Sequence, residues 1–417
     1  MRSFWVRLHR WAGLAMAGLL IVVGLTGSLL AFLPELERLA APNLFPGPQA
    51  CTPLGQGVLA ELAETRHPEI RANGVYLGTP GTALVHLSPR VDPSSGVPHR
   101  LDFDSLFLDP CTGDELGRRM FGDLSQGLVN LMPFVYKLHY ALALGKWGGW
   151  ILGICALVWT LDSFVGFYLT LPPRRRSAAP AVSAAGSKAS HATKSLLARW
   201  KPAWQLRWRA GSFKLIFDLH RAGGLWFWVI LLMFAWSSVF MNLHDQVYAP
   251  VTRTVLDYPP RAWEAPERAQ PLDAPKLYWR TAQAVGELLL ANAAQAQGFT
   301  VEQPVGLWLD RARGQYHYIA RSSLDFQNKR GRTMVIFDAD TGALKSLELP
   351  SGQHAGWTVT NWLQSLHEAN VFGLPYRIFV SLLGLVITML SLTGAYIWWK
   401  KRVARLKHSA RRMNQRS

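Results

Sequence analysis

The stretch RLHRWAG at residues 7–13 stands at the start of an apolar run long enough to cross a membrane. A matching stretch, DLHRAGG at residues 218–224, opens a second such run 211 residues later. Recurrence in the same register predicts two copies of one unit. Because imidazole is a common ligand of haem iron, His9 and His220 are predicted to meet across a twofold axis and hold one haem from both sides. The alternative is that each histidine anchors its helix among lipid headgroups.

Four apolar runs approach or exceed the roughly 20 residues that a helix needs to cross the bilayer core. They cover residues 11–33, 150–171, 223–243 and 378–399. The first run is too long for a removable signal peptide and has no small-residue cleavage site before Pro34. The sequence therefore predicts a membrane α-helical protein with four transmembrane helices arranged as two parallel repeats.

The distribution of charge predicts how the chain crosses the membrane. The segments 1–10, 174–221 and 400–417 hold 22 of the 44 Lys and Arg residues against a single acid. The segments 34–147 and 244–372 instead carry 9 basic against 12 acidic residues and 12 against 13. Both termini and the middle loop are thus predicted to be cytoplasmic. The net charge of +17 then indicates topology and contact with anionic lipid, and nucleic acid is not an expected partner.

These patterns give a complete predicted organisation of the chain. In order it is 1–33 (cytoplasmic N-terminus and first membrane helix), 34–128 (first external domain), 129–171 (interfacial helix and second membrane helix), 172–222 (basic cytoplasmic loop), 223–243 (third membrane helix), 244–358 (second external domain), 359–399 (interfacial helix and fourth membrane helix) and 400–417 (basic cytoplasmic tail). The Ala/Ser/Pro-rich part of the middle loop, residues 172–200, is predicted to be a disordered linker.

Each external segment has the pattern of a small α+β domain. The first is predicted to contain a helix at 53–66, strands at 74–87 and 101–108, and a turn at Asp109–Gly113. The second repeats this order with a helix at 275–297, strands at 305–309, 316–320 and 333–337, and a turn at Asp338–Gly342. Both turns have the pattern D-x-x-T-G, which extends the duplication to the whole chain.

Two of the three cysteines, Cys51 and Cys111, lie in the first external segment. Because that compartment is oxidising, they are predicted to form a disulfide. The chain has no C-x-x-C motif, and this argues against thiol redox catalysis and a zinc site.

A second pair of histidines also recurs. His139 and His367 each follow a leucine, are 228 residues apart, and precede the second and fourth membrane runs. They are predicted to lie at the outer membrane face on interfacial helices and to hold a second haem; the alternative is that they face headgroups. His244 is the substitute ligand if one of them is wrong. Because about 24 residues of helix are about 36 Å long, two haems at the extreme faces would be far apart.

The motifs together resemble a known family. LHRWAGLAMAGLLIVVGLTGSLL at 8–30, LFLDPCTGDELG at 106–117 and SLHEANVFGLPYRIFVSLLGLVITMLSLTGAYIWWKK at 365–401 resemble the PepSY-associated transmembrane proteins. That family includes iron-regulated inner-membrane proteins and di-haem reductases of ferric siderophores. The resemblance implies PepSY-like domains at 34–128 and 244–358 and two bound haem b groups. As only a short basic tail follows Trp399, the expected electron donor is a separate cytoplasmic reductase or a quinol.

The expected function is that of a haem b oxidoreductase that passes electrons to a periplasmic ferric siderophore and releases Fe(II). Two alternatives stay open: a non-catalytic PepSY protein that binds or regulates a partner, and a siderophore transporter. Transport favours broken helices with polar residues at mid-membrane. Asp162, the acid near the centre of the second membrane run, is interpreted as a helix–helix hydrogen-bonding group, with a proton or haem-propionate role as the alternative.

The predicted topology can be checked with alkaline phosphatase fusions, since the enzyme is active only outside the cytoplasm. Fusions after residue 120 or 330 should be active and a fusion after residue 190 should be inactive. The reverse pattern would refute the N-in, C-in assignment.

Overall fold

Helices and strands separate into two compact units. A computed structural model describes residues 1–173, 195–259, 265–328 and 331–415. One unit, the helical unit, consists of Met1–Ser28, His139–Tyr248 and Leu382–Ser417, and the other, the sheet unit, of Leu29–Leu138 and Ala249–Ser381. The predicted linker at 172–200 falls mainly on residues 174–194, which lie outside the described residues.

The helices follow the hydrophobic pattern closely in the first half of the chain. In chain order they are α1 (Arg2–Leu30), α2 (Leu33–Ala40), α3 (Gln56–Arg66), α4 (Leu131–Ala141), α5 (Gly145–Thr170), α6 (Leu196–Trp200), α7 (Ser212–Trp226), α8 (Trp228–Asn242), α9 (Ala249–Thr252), α10 (Trp279–Gln297), α11 (Ala355–His367) and α12 (Gly373–Asn414). The segments predicted as interfacial helices before the second and fourth membrane runs do form helices, α4 and α11.

Three helices, α1, α5 and α12, are long and apolar enough to cross a membrane. The predicted third span at 223–243 differs from expectation, because two helices that meet at a bend of 70° replace one continuous helix. The break is at Phe227, whose backbone leaves the helical region (φ −100°, ψ 7°) just after the weak helix formers Gly223 and Gly224. Counting α7 and α8 as one span gives four crossings.

Small residues let the helices of the two repeats approach closely. A Cβ atom added at Gly24 of α1 would lie 2.7 Å from the carbonyl oxygen of Gly384 in α12. In the same unit, a Cβ atom at Gly153 of α5 would lie 2.7 Å from the side chain of Leu243, at the end of α8. The α1–α12 seam is therefore a backbone contact, and at the α5–α8 seam the Leu243 side chain lies against the α5 backbone; a larger side chain than glycine would prevent either contact.

The strands form one antiparallel sheet in the order β4-β3-β2-β1-β5-β6-β7-β8. They are β1 (Ile70–Thr79), β2 (Thr82–Pro89), β3 (Ser105–Leu108), β4 (Glu115–Arg119), β5 (Val301–Asp310), β6 (Gln315–Ser322), β7 (Thr333–Asp338) and β8 (Leu344–Glu348). The stretch predicted as one strand at 74–87 is a hairpin of β1 and β2, while β4 and β8 escaped prediction because they are short and polar.

The two segments predicted as small α+β domains contribute to one sheet, since β1 of the first segment pairs with β5 of the second. The pairing aligns Gly74 with Trp308 and Tyr76 with Gly306. A Cβ atom at Gly306 would lie 2.9 Å from the Tyr76 ring, so glycine is needed at this seam. Pairing removes two strand edges that would otherwise be exposed.

The two copies also share one hydrophobic core. Helices α3 and α10 pack together, with the backbone N–H of Gly57 donating to the Gln283 side chain at 2.8 Å. Leu59, Trp279 and Leu290 are at most 1% exposed and belong to the same cluster as residues of β1, β2 and β5 to β7. Burial of this apolar surface from both copies stabilises them as one body.

The D-x-x-T-G turns have the predicted form. In the first, Asp109 accepts hydrogen bonds from the backbone N–H groups of Cys111 and Thr112, and Gly113 adopts φ +75°. Asp338 and Gly342 repeat this arrangement in the second copy. The sulfur atoms of Cys51 and Cys111 are joined in a disulfide that ties the chain ahead of α3 to the first turn.

The seam between α1 and α12 gives a testable prediction. Gly24→Ala places a methyl group against the Gly384 carbonyl and should cost about 1–3 kcal/mol of stability, as overpacked sites do. Gly18→Ala is the matched control on the same helix, because nothing lies within 4 Å of the added atom. Thermal unfolding of the purified variants in detergent should show a lower midpoint for Gly24→Ala alone. Equal midpoints would contradict the close contact.

Candidate functional site: a pair of facing histidines

The two histidines that open the repeats come together inside the helical unit. The ring centroids of His9 on α1 and His220 on α7 are 6.2 Å apart, with the ring planes 57° to one another. Their residues are 211 positions apart in the chain, so the contact is made by the fold. One metal ion bonded to both imidazoles at about 2 Å each would hold the centroids about 6 Å apart.

A carboxylate orients the first ring. Nδ1 of His9 lies 3.0 and 2.9 Å from the two carboxylate oxygens of Asp162 on α5. Because an ionised carboxylate only accepts, Nδ1 is the donor, and Nε2 is the nitrogen that can bind a metal. Gly166, one turn further along α5, lies 3.5 Å (as an added Cβ) from Cε1 of His9, which lets the ring pack against the helix backbone.

Neutral oxygens orient the second ring. Nδ1 of His220 donates to the carbonyl of Leu390 at 3.0 Å and lies 3.2 Å from Oγ1 of Thr393, both on α12. The Thr393 hydroxyl donates to the carbonyls of Met389 and Leu390, so its oxygen accepts. A Cβ atom at Gly394 would lie 3.1 Å from Cε1 of His220, so the ring lies directly on the helix backbone at the glycine.

His139 packs against α1 in the same way. The groups on a facing helix that contact each histidine ring are called its cradle. Nδ1 of His139 lies 3.0 Å from Oγ1 of Thr26, whose hydroxyl donates to the Val22 carbonyl at 2.7 Å. The Val23 backbone is a further hydrogen-bond partner of the ring. A Cβ atom at Gly27 would lie 3.0 Å from Cε1 of His139. Each cradle thus combines a carbonyl, a threonine hydroxyl three residues on, and a glycine that follows.

The sequence motif behind the cradle is Leu-Thr-Gly, which occurs at 25–27 and 392–394. At the repeat position on α5 the residues are Phe164-Val165-Gly166, so the hydroxyl is missing. Asp162, 228 residues before Leu390, supplies its side chain where the other repeat uses the Leu390 carbonyl. Asp162 therefore gives His9 a charged hydrogen-bond partner where His220 has neutral ones.

The positions of His9 and of the His139 cradle on α1 give the distance between these two histidines along the helix axis. His9 and Thr26 are 17 residues apart on α1, which is about 26 Å along the axis at 1.5 Å per residue. The spacing of about 36 Å expected for ligands at the extreme faces is therefore too long, because His139 packs against α1 within its helical span.

A cavity of about 490 Å³ surrounds the His9 and His220 rings. That volume lies within the range of small-molecule and cofactor sites, about 300–1,000 Å³. Its walls are largely apolar and aromatic, and include Leu14, Trp159 and Trp228. Cationic side chains also line it: Arg2, Arg10, Arg221 and Lys401. A flat apolar cofactor with two carboxylate groups would match these apolar walls and cationic side chains.

The other two histidine candidates occupy different settings. His367 is the last residue of α11 in the sheet unit and is half-buried. His244 begins a turn of π-helix after α8, with Nδ1 2.5 Å from Asp245. Its ring forms a cluster with those of Phe240 and Tyr248, whose centroids are 5.7 and 6.1 Å from it and 5.0 Å from each other. The pairing of His139 with His367 and the substitute role of His244 stay predictions.

Sequence reasoning missed most of the residues that orient the rings. The helix–helix hydrogen bond predicted for Asp162 does form, between α5 and α1, and His9 is the partner that the sequence did not identify. The Leu-Thr-Gly motif, which occurs twice, is the signal that could have identified the cradles. The glycine of the motif leaves accessible the backbone carbonyl of the residue one helical turn earlier. Asp162 at the repeat position of Leu390 would then have stood out.

Comparison with known proteins identifies one family. The family model described as "PepSY-associated TM region" matches residues 6–401, nearly the whole chain. No curated protein matches the sequence.

Proposed function

The chain belongs to the PepSY-associated transmembrane family, and from that premise we propose that it is an inner-membrane haem b oxidoreductase that delivers electrons to periplasmic ferric siderophores. The observation that carries the proposal is the approach of His9 and His220 to 6.2 Å, with each Nδ1 already engaged. That leaves the Nε2 atoms of His9 and His220 as the groups that would hold the iron of a bound haem. When bound, haem b supplies a one-electron couple suited to electron transfer.

The residues around the pair fit such a group. Histidines that bind a metal commonly donate their other N–H to a carboxylate or a backbone carbonyl, and His9 and His220 do so. Arg2, Arg10 and Lys401 line the cavity and would bind the propionates. Apolar walls keep water from the iron ligands and lower the local dielectric.

The outer site is proposed on the repeat as well as on geometry. His139 has the same threonine and glycine partners as His220, which supports a ligand role. His367, at the matching position of the second repeat, is proposed as its partner in a second haem. The sheet unit is proposed to contain the two PepSY-like domains in the periplasm, with N and C termini and the electron donor, a separate reductase or a quinol, on the cytoplasmic side.

The substrate follows from the chemistry of iron. Siderophore hydroxamates and catecholates are hard oxygen donors, which hold Fe(III) much better than Fe(II). A haem held by His9 and His220 would supply the one electron that reduces the chelated Fe(III) to Fe(II), and the separate donor would replace that electron. No covalent step is asked of the side chains.

One structural observation favours a second candidate, siderophore transport. Transporters commonly use broken membrane helices, and the 70° bend between α7 and α8 is such a break. The experiment on chelates below separates the two functions, because transport needs no oxidation of the haem.

The ligand assignment predicts the haem content of variants. Purified protein should contain about two haems in a pyridine haemochrome assay. His9→Ala and His220→Ala should each remove the same one, because both rings bind one iron. His354→Ala is a suitable control, as that histidine lies in the sheet unit, bonded to Asp257. Two intact haems in both ligand variants would refute the inner site.

The reaction predicts a coupled oxidation. Protein reduced with dithionite and freed of excess reductant under anaerobic conditions should be reoxidised rapidly by a ferric hydroxamate or catecholate chelate. A ferrous trap should capture one Fe(II) per haem oxidised. A gallium chelate of the same siderophore, which cannot be reduced, is the control. Haems that stay reduced with every ferric chelate would favour the transport or regulatory function.

A further inference from the structure

Of the three proposed ligands in the helical unit, His9 has a charged hydrogen-bond partner, while His220 and His139 have neutral ones. Nδ1 of His9 contacts the carboxylate of Asp162, whereas Nδ1 of His220 and of His139 contact a carbonyl or a hydroxyl oxygen. Among these partners Asp162 is the ionisable one. Its side chain is only 9% exposed, so water screens its charge poorly.

Among the described residues, the ion pair that Asp162 makes is with His9, and not with Arg2, Arg10, Arg221 or Lys401, which line the cavity. Arg221 is the nearest candidate by sequence to His220, but its guanidinium pairs with Asp218 at 2.9 Å. Arg2 donates to the backbone carbonyls of Leu169 and Leu171. The carboxylate of Asp162 has His9 as its partner at 2.9 Å.

A carboxylate on the far nitrogen makes an imidazole a more basic ligand. A more basic ligand and a nearby buried negative charge both stabilise Fe(III) relative to Fe(II), which lowers the reduction potential of the iron. Neutral oxygens at the other rings exert a weaker effect of the same kind.

We propose that Asp162 is a positioning residue that gives the inner haem a lower potential than the outer haem, so that electron transfer from the inner to the outer site runs downhill. This inference rests on the proposed function, since it assumes that both haems are bound. It adds a direction to the electron path, which the duplication by itself does not provide.

The test is a spectroelectrochemical titration of the full-length protein in lipid at one pH. His220→Ala identifies the inner component by its loss. In the wild type that component should titrate at the lower potential. Asp162→Asn keeps an acceptor oxygen beside His9 but removes the charge. It should raise the inner potential by about the 59 mV that corresponds to a tenfold change in a one-electron equilibrium, and leave the outer potential unchanged.

Two further variants separate charge from geometry. Thr393→Val removes a neutral oxygen beside His220, the other ligand of the same iron, and should shift the inner potential much less than Asp162→Asn does. The double variant Asp162→Leu with Val165→Thr copies the neutral cradle of Leu390 and Thr393. It should retain the haem by neutral contacts and show the same rise as Asp162→Asn.

The outcomes distinguish this inference from the function it rests on. A wild-type protein without haem, or an inner haem that survives His220→Ala, overturns the proposed function. Two haems with the inner one at the higher or an equal potential overturn the role of Asp162, and this comparison holds even if both Asp162 variants lose the haem. A haem-retaining Asp162 variant with unchanged potential also overturns it.

Discussion

An imidazole ring inside an apolar helix bundle must have hydrogen-bond partners, because an unpaired polar nitrogen away from water costs several kcal/mol at worst. The helical unit meets this requirement with a helix backbone held close to each ring. A glycine lets the ring approach, and Nδ1 contacts either a carbonyl or carboxylate one helical turn before the glycine or the hydroxyl of the residue just before it. The orientation of the rings, and therefore any metal that they hold, depends on this contact. The helices must cross near Gly27, Gly166 and Gly394 for it to form.

In each unit, glycines lie where the two halves of the chain are in contact. Gly24 and Gly384 let helices of opposite repeats touch by their backbones in the helical unit. Gly74 and Gly306 do the same for β1 and β5 in the sheet unit, where they lie beside the Trp308 and Tyr76 rings. A repeat that must bury its apolar face against its copy needs close complementarity at the seam. The glycines allow this close packing. Gly74 and Gly306 thereby let strands of the two predicted domains pair in one sheet.

Sequence patterns predicted those features that depend on local composition. The apolar runs gave α1, α5 and α12, and the repeated Leu-His-Arg gave the pair at His9 and His220 that the fold brings to 6.2 Å. The helix break at Phe227 escaped prediction because an apolar run shows no sign of a local change in backbone angles. The pairing of β1 with β5 escaped it because strand partners more than 200 residues apart leave no local signal. The sequence predicted a helix–helix hydrogen bond for Asp162 but not its partner, His9, because that residue lies far away in the chain.

A symmetric duplication would place the same groups around both rings of the inner pair. The structure keeps the positions of the cradle and changes its chemistry, since Asp162 stands where the repeat has Leu390, and Val165 where it has Thr393. The two together retain a partner for Nδ1 while adding a charge. Because both imidazoles would bind one iron, a carboxylate on a single ring is enough to alter the electronic state of the whole centre.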